Sequence, residues 1–544
     1  MKRLALLVLL LLPVIVWAQS SPNWSYGYVP SPAEWNAWWA KKLDLNTPMA
    51  WGAKGDGVTD DTNAVQKWLD YGGELSIGQH VYGINSFGVA CRAAVNVTGS
   101  QSGNRPGYET VSGFRALQPN TTLLTTTAHT CDGSRFADFS IDMGAAGANS
   151  SGAAIAMQPG AGVVIRDVQV VKPCIGIDVN GNSPILDEVQ ILQVSGAGCG
   201  GMRIGHNTTH ASTVDPRITN SQIQSVLSTA GTPGDFGMQI EDCGGCYIAS
   251  DDVLFFNVGT KVIPGLNQEV DWLFAVNTVL GDTTVGSPLV IDTADPSAHI
   301  QGLMFTQSWV AAYLTKTGTA PGILIQDTAA SHNLNGVHFI GQREYAVPGN
   351  GMSILAGTDI SLDSSVMCGM GASTGTFYGV EIGNGVQGVA LRGNKISGTV
   401  CDSLSSGGLV AYTVRFDGGN CDIIMTSNDL NGFVTGPVSG EPVQCGLNTN
   451  TIANNLTLDG FNPTITAAAT IDPGVYPAIN LTGSATVTTV GGCWSGRQLT
   501  VIPISAGVNF ANGGNIAGSP GPTTNDVPVF LVAFGNAPCQ WFVR

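Results

Sequence analysis

The chain has 544 residues, with 72 Gly and 27 Pro, only 11% charged residues and a formal net charge of −17. Charge at less than half its usual share excludes long Lys- and Glu-covered helices, while 43% hydrophobic residues exclude a disordered chain. The acidic balance repels phosphate and so excludes nucleic acid and anionic membranes as partners; a β-rich chain with many turns remains.

Lys2 and Arg3 precede an apolar run over 4–18 that ends Val16-Trp17-Ala18, with small residues at the −3 and −1 positions of a cleavage site. This predicts a signal peptide over 1–18 and an exported, extracellular or cell-surface protein of charge −19, with no membrane span after its removal. In an oxidising compartment the 12 Cys read as disulfides. Pairing by proximity joins Cys91 to Cys131, Cys174 to Cys199, Cys243 to Cys246, Cys401 to Cys421 and Cys493 to Cys539, leaving Cys368 and Cys445 over.

A helical segment is expected over 19–48. It carries a capping box, Ser31-Pro32-Ala33-Glu34, and an apolar stripe of Trp35, Trp38, Trp39 and Leu43. A second helix follows, with Asp60 as N-cap, Ala64, Val65, Trp68 and Leu69 on one face, and Gly72 at its end.

From about 121 to 445 the sequence repeats. Units open near Val163, Pro184, Pro216, Cys246, Val270, Ser297, Ser331, Asp359, Gln387 and Cys421, about 29 residues apart. Each begins with a short alternating strand. Six reach a second strand of the pattern Gly-apolar-x-apolar: Gly176-Ile-Asp-Val179, Gly201-Met-Arg-Ile204, Gly237-Met-Gln-Ile240, Gly322-Ile-Leu-Ile325, Gly351-Met-Ser-Ile354 and Gly379-Val-Glu-Ile382. A period this short, without helices between strands, predicts a stack of β-coils in which only stacking makes a core. Thr- and Ala-rich segments beyond 461 predict a separate all-β module.

The string Gly52-Ala-Lys-Gly-Asp-Gly-Val-Thr-Asp-Asp-Thr-Asn-Ala-Val-Gln66, followed by irregular coils, resembles the N-terminal cap of the pectate-lyase-like superfamily. That group includes polygalacturonases, rhamnogalacturonases, uronan epimerases and phage tailspikes. The resemblance implies an all-β fold: a right-handed parallel β-helix over 49–460, capped by N-terminal helices and followed by a small module over 461–544. It also implies action on polysaccharides. Val29-Pro-Ser-Pro-Ala-Glu-Trp-Asn36 looks like a segment of phage tail proteins, which implies a homotrimer and a virion-tail alternative. Of the polygalacturonase motifs, only Asp251-Asp252 and Gly205-His206-Asn207 have approximate matches, in reversed order, so that mechanism is not carried over.

Aligning the units places Gln169, Gln190, Gln222 and Asp252 at one outward position, a polar ladder at ~4.8 Å spacing suited to sugar hydroxyls. Asp251 then falls at an inward position. Glu188, on the edge of the same face and ~10 Å from Asp252, gives the separation of an inverting carboxylate pair. One acid would protonate the leaving oxygen and the other activate water. Gln342-Arg343-Glu344-Tyr345 adds an acid beside a cation. The catalytic candidates are therefore Asp252, Asp251, Glu188 and Glu344; Gln169, Gln190, Gln222, Arg203, His206 and Arg343 are candidates for holding the polymer. No metal ligands are read, and Ca²⁺ enters only if the reaction is a lyase. The expected function is an exported glycoside hydrolase or polysaccharide lyase; the alternative is a noncatalytic glycan-binding or structural protein.

Overall fold

The computed structural model describes residues 31–32, 44–100, 112–144, 147–206, 213–227, 231–283, 285–312, 318–371, 376–399, 409–443, 450–456, 462–518, 521–534 and 539–543. The expected signal peptide and the Trp35, Trp38 and Trp39 stripe lie outside them.

Helix α1 (Thr62–Tyr71) caps the first coils with Val65, Trp68 and Leu69 buried. It starts one residue later than expected. Asp61 takes the cap position, while its carboxylate accepts the Lys54 and Gly55 amides at 2.7 and 3.0 Å. Asp60 accepts the Thr62 amide at 3.0 Å.

Most coils then contribute three short strands. One coil runs Ile185–Asp187, Gln190–Val194 and Gly200–Ile204; the next runs Arg217–Thr219, Gln222–Ser225 and Phe236–Ile240. In these coils the first two strands join a 28-stranded sheet and form faces 1 and 2; the third joins a 13-stranded sheet, face 3. Successive coils pair in parallel, and parallel crossovers of this kind wind right-handed. The chain is a three-faced parallel β-helix, as the repeats and the resemblance both imply.

Faces 1 and 2 meet at a sharp bend made by one residue of left-handed backbone, at the same place in successive coils. Glu188, Asn220, Ser250, Asn277, Gln307 and Ser364 occupy it with φ of 55, 54, 59, 51, 50 and 52°. The residue after the bend points inward, and there the core is polar: Ser221, Asp251, Thr278, Ser308, Gln342, Ser365, Asn394, Asn428 and Asn455 are all buried. The reason is that this residue's own amide must find an acceptor inside the coil. The side chain of the next coil supplies it: Ser221 N–H donates to Asp251 Oδ1 at 2.6 Å, Ser365 N–H to Asn394 Oδ1 at 2.9 Å, and Asn428 N–H to Asn455 Oδ1 at 3.0 Å. Asn428 also donates to Leu391 O and receives the Asn394 amide. Asn428→Ala therefore strands several buried partners at once. The expected loss is about 3 kcal/mol of stability, seen as a drop in thermal midpoint that the outward Thr426→Ala does not produce.

The remaining interior is apolar. Rings stack between coils, Phe305 on Phe339 at 4.9 Å. A second cluster gathers on the C-terminal strands around Leu481, Val501, Phe510 and Trp541. It meets the helix through Tyr476, whose hydroxyl donates to Val438 O at 2.8 Å. Arg497, buried against Trp494 and Trp541 with centroids at 4.3 and 5.4 Å, faces Glu441, whose carboxyl burial pushes up to about 7.

Disulfides join Cys91 to Cys131, Cys174 to Cys199, Cys243 to Cys246 and Cys493 to Cys539. Cys368, which proximity pairing left over, is also disulfide-bonded, as is Cys421. These bonds fit an oxidising, extracellular or virion location. Among the described residues no helix is long and apolar enough to cross a membrane.

Candidate functional site

The polar ladder read from the sequence lies on face 2. Gln169 pairs with Gln190, Gln190 with Gln222, and Gln222 with Asp252 in strand register. The column continues through Val279, Trp309 and Arg343 to Val366. Gln169 is buried and donates to Gln190 at 3.0 Å, so Gln190, Gln222 and Asp252 are the rungs that reach solvent. Burial raises the Asp252 carboxyl above its ordinary value.

Three expected catalytic acids sit elsewhere. Asp251 is an inward rung of the bend column, where other coils carry Ser, Thr, Asn or Gln; burial pushes its carboxyl up to about 7. Glu344 is turned inward by strand alternation, registered with Val310 and Met367. It is fully buried, neither carboxylate oxygen has a hydrogen-bond partner among the described residues, and desolvation raises it well above its ordinary value. Neither acid can touch a polymer on the surface. Glu188 occupies the bend, 3.6 Å from Arg166, and shares no strand register with Asp252.

Arg203 and His206 lie on face 3, where the structure joins them to groups the sequence reading missed. Asp178, Arg203, Gln239 and Lys261 are consecutive outward rungs. Asp178 grips the Arg203 fork, Nε to Oδ1 at 2.5 Å and Nη2 to Oδ2 at 2.8 Å. Arg203 Nη1 meets His206 Nε2 at 2.9 Å, and His206 Nδ1 lies 2.9 and 3.0 Å from the two Glu241 oxygens. A guanidinium only donates, so Nε2 must be the acceptor and Nδ1 must carry the proton to Glu241. Gln239 donates to Glu241 at 2.6 Å, and Glu241 is 8% exposed. Burial lowers the Lys261 ammonium against the pull of Asp235.

Asp178, Arg203 and Gln239 are the variable position of the Gly-apolar-x-apolar pattern, so their common face was available in the sequence. Lys261 was hidden because Thr260 breaks the pattern, and Glu241 because it follows the strand. Chemically, the arrangement is an imidazole in a fixed tautomer, oriented by a nearly buried carboxylate and capped by an arginine. Such a ring can take up a proton at Nε2 once the cap is displaced.

Ahead of face 1, on strand segments set off from it by left-handed backbone at Trp272 and Gly302, Glu269, Asp271 and His299 bring three ligand atoms within 4.8 Å of one another, with His299 Nδ1 3.3 Å from Asp271 Oδ1. A histidine in the set suits a transition metal better than the all-oxygen shell of Ca²⁺.

The fold defines a class, the three-faced parallel β-helix. Solved structures similar to this chain include the mannuronan C-5 epimerase A-module of Azotobacter vinelandii, at 14% identity, 75% of this chain, 99% of that one and a TM-score of 0.44. Pre-mature gene product 12 of bacteriophage phi29 matches at 13% identity, 88% and 68% coverage and a TM-score of 0.45. The catalytic domain of a GH87 alpha-1,3-glucanase matches at 13%, 66% of each chain and 0.37. At these identities the chemistry of this chain does not follow from them. No family model and no curated protein matches the chain.

Proposed function

We propose that the protein is an exported, polysaccharide-active β-helix that cleaves its polymer by acid–base chemistry on face 3. The observation that supports this best is the His206–Glu241 pair, held on a line of outward cations and amides one coil apart. Glu241 keeps the proton on Nδ1 and the ring in place. A sugar oxygen or carboxylate that takes over the Arg203 N–H frees Nε2 to accept a proton from water or from a sugar carbon, and the imidazolium returns that proton to the leaving glycosidic oxygen as its C–O bond breaks, so the ring ends neutral. Arg203, Gln239 and Lys261 hold the chain along the stacking axis. On face 2, Gln190, Gln222 and Asp252 are proposed as a second line of polymer contacts, with Asp252 as an acid.

The test is release of new reducing ends, and of unsaturated products, from a panel of soluble polysaccharides with and without Ca²⁺. The expected result is cleavage of at least one polymer; unsaturation distinguishes a lyase from a hydrolase. Release from none would overturn the enzymatic reading. One observation favours a second reading, a noncatalytic glycan-binding surface or virion protein: the hydrogen bonds from Asp178 to Glu241 close on one another.

A homotrimer is also proposed. Phe530, Phe534 and Phe542 are 52, 48 and 40% exposed on the C-terminal strands, an apolar face that a closed threefold contact would bury. Light scattering should give a trimer, and Phe534→Asp with Phe542→Asp should give a monomer. A monomeric wild type at micromolar concentration would contradict this.

A further inference from the structure

Face 2 carries a cleft of about 560 Å³ around Trp309 and Arg343, within the ~300–1,000 Å³ range of small-ligand sites. Trp309 and Arg343 are directly paired across neighbouring strands, one rung apart. Trp309 is 45% exposed and meets Tyr345 edge-on at 5.7 Å, so the aromatic pair is open to solvent. Asn277, Gln307 and Ser364 stand along the rim, contributed by the bend of successive coils.

The cleft carries a cation with no carboxylate against it. Acids outnumber Lys and Arg by 39 to 22, and Arg166, Arg203, Arg392, Arg415 and Arg497 each lie against a carboxylate. Arg343 is exposed and has no acidic or hydrogen-bonding side-chain partner among the described residues, and no Asp or Glu lines the cleft. An unpaired guanidinium beside an exposed indole, rimmed by neutral amides, matches one chemistry: a ring whose C–H face stacks on Trp309, whose hydroxyls meet the amides, and whose carboxylate takes the guanidinium fork.

We propose that this cleft binds an acidic sugar unit of the polymer, a subsite on a different face from the His206–Glu241 pair. The proposal rests on the polysaccharide reading and adds the substrate class to it. The test is calorimetric titration of the full-length protein with oligogalacturonate and oligomannuronate, and with cellohexaose as the neutral probe. An acidic oligosaccharide is expected to bind in two components, and cellohexaose at least tenfold more weakly. Trp309→Ala and Arg343→Gln each weaken one component at least tenfold with an unchanged thermal midpoint, while Arg203→Gln weakens the other. Equal affinity for acidic and neutral probes, affinities unchanged in both cleft variants, or no acidic binding at millimolar concentration would overturn it. Polymer cleavage that proceeds alongside any of these results would remove the cleft subsite and leave the face 3 reading standing.

Discussion

Replacing His206 by Asn should lower polymer cleavage by a hundredfold or more, because a positioned acid–base group contributes ~10²–10⁴ in rate. The side chain is 25% exposed and bridges Arg203 and Glu241, so a purely structural role would act through stability instead. The two are separated by measuring the thermal midpoint and the rate together. A catalytic His206 costs the variant its rate and moves the midpoint little. A variant that retains a parental rate would move the chemistry off face 3, with Asp252→Asn then tested on the face 2 ladder.

The second large effect is on stability and its pH dependence. Asp251 is buried, its carboxyl stands at about 7 against an ordinary 3.8, and desolvation is the main cause. A carboxyl raised in the folded state stabilises the fold most at low pH, and that contribution is lost as pH rises from ~4 through ~7. A rise of this size corresponds to about 4 kcal/mol. Asp251→Asn removes this titration and keeps the oxygen that accepts the Ser221 amide. Its new amide nitrogen would face the carbonyl of Ile218, as Asn394 faces Leu362 O and Asn428 faces Leu391 O. The variant should therefore be more stable than the parent at pH 8, by on the order of 2 kcal/mol more than at pH 5. Thermal midpoints of both proteins at the two pH values check it. Glu344 and Glu441 titrate in the same sense, but they do so in both proteins and cancel in the difference. An equal offset at pH 5 and pH 8 would show that burial does not hold the Asp251 proton.

The repeat was legible because each coil must bury the same alternating positions on its neighbours. The column from Gln169 to Asp252 follows directly from that register. The bend was not legible, since left-handed backbone at Glu188 or Gln307 has no residue signature, unlike a Gly or Asn turn. Without the bend, Glu188 reads as sharing a face with Asp252, and the buried column of Ser, Thr and Asn has no reason to exist. Glu344 was misplaced for a related reason. Its charge argues for the surface, but parity between Arg343 and Tyr345 turns it inward. Face 3 was half legible: the pattern gave Asp178, Arg203 and Gln239 a common direction, while the meeting of His206 with Glu241 joins residues 35 apart and depends on the stacking of two coils.

The decisive measurement is a crystal structure of the full chain with an oligosaccharide from the polymer it cleaves. A sugar is expected to lie across Arg203, His206 and Gln239 on face 3, with a ring oxygen or hydroxyl within hydrogen-bond distance of His206 Nε2 and the Arg203 guanidinium turned onto the ligand. A saccharide bound only on another face, with the Asp178–Arg203–His206–Glu241 chain of hydrogen bonds intact, would contradict it.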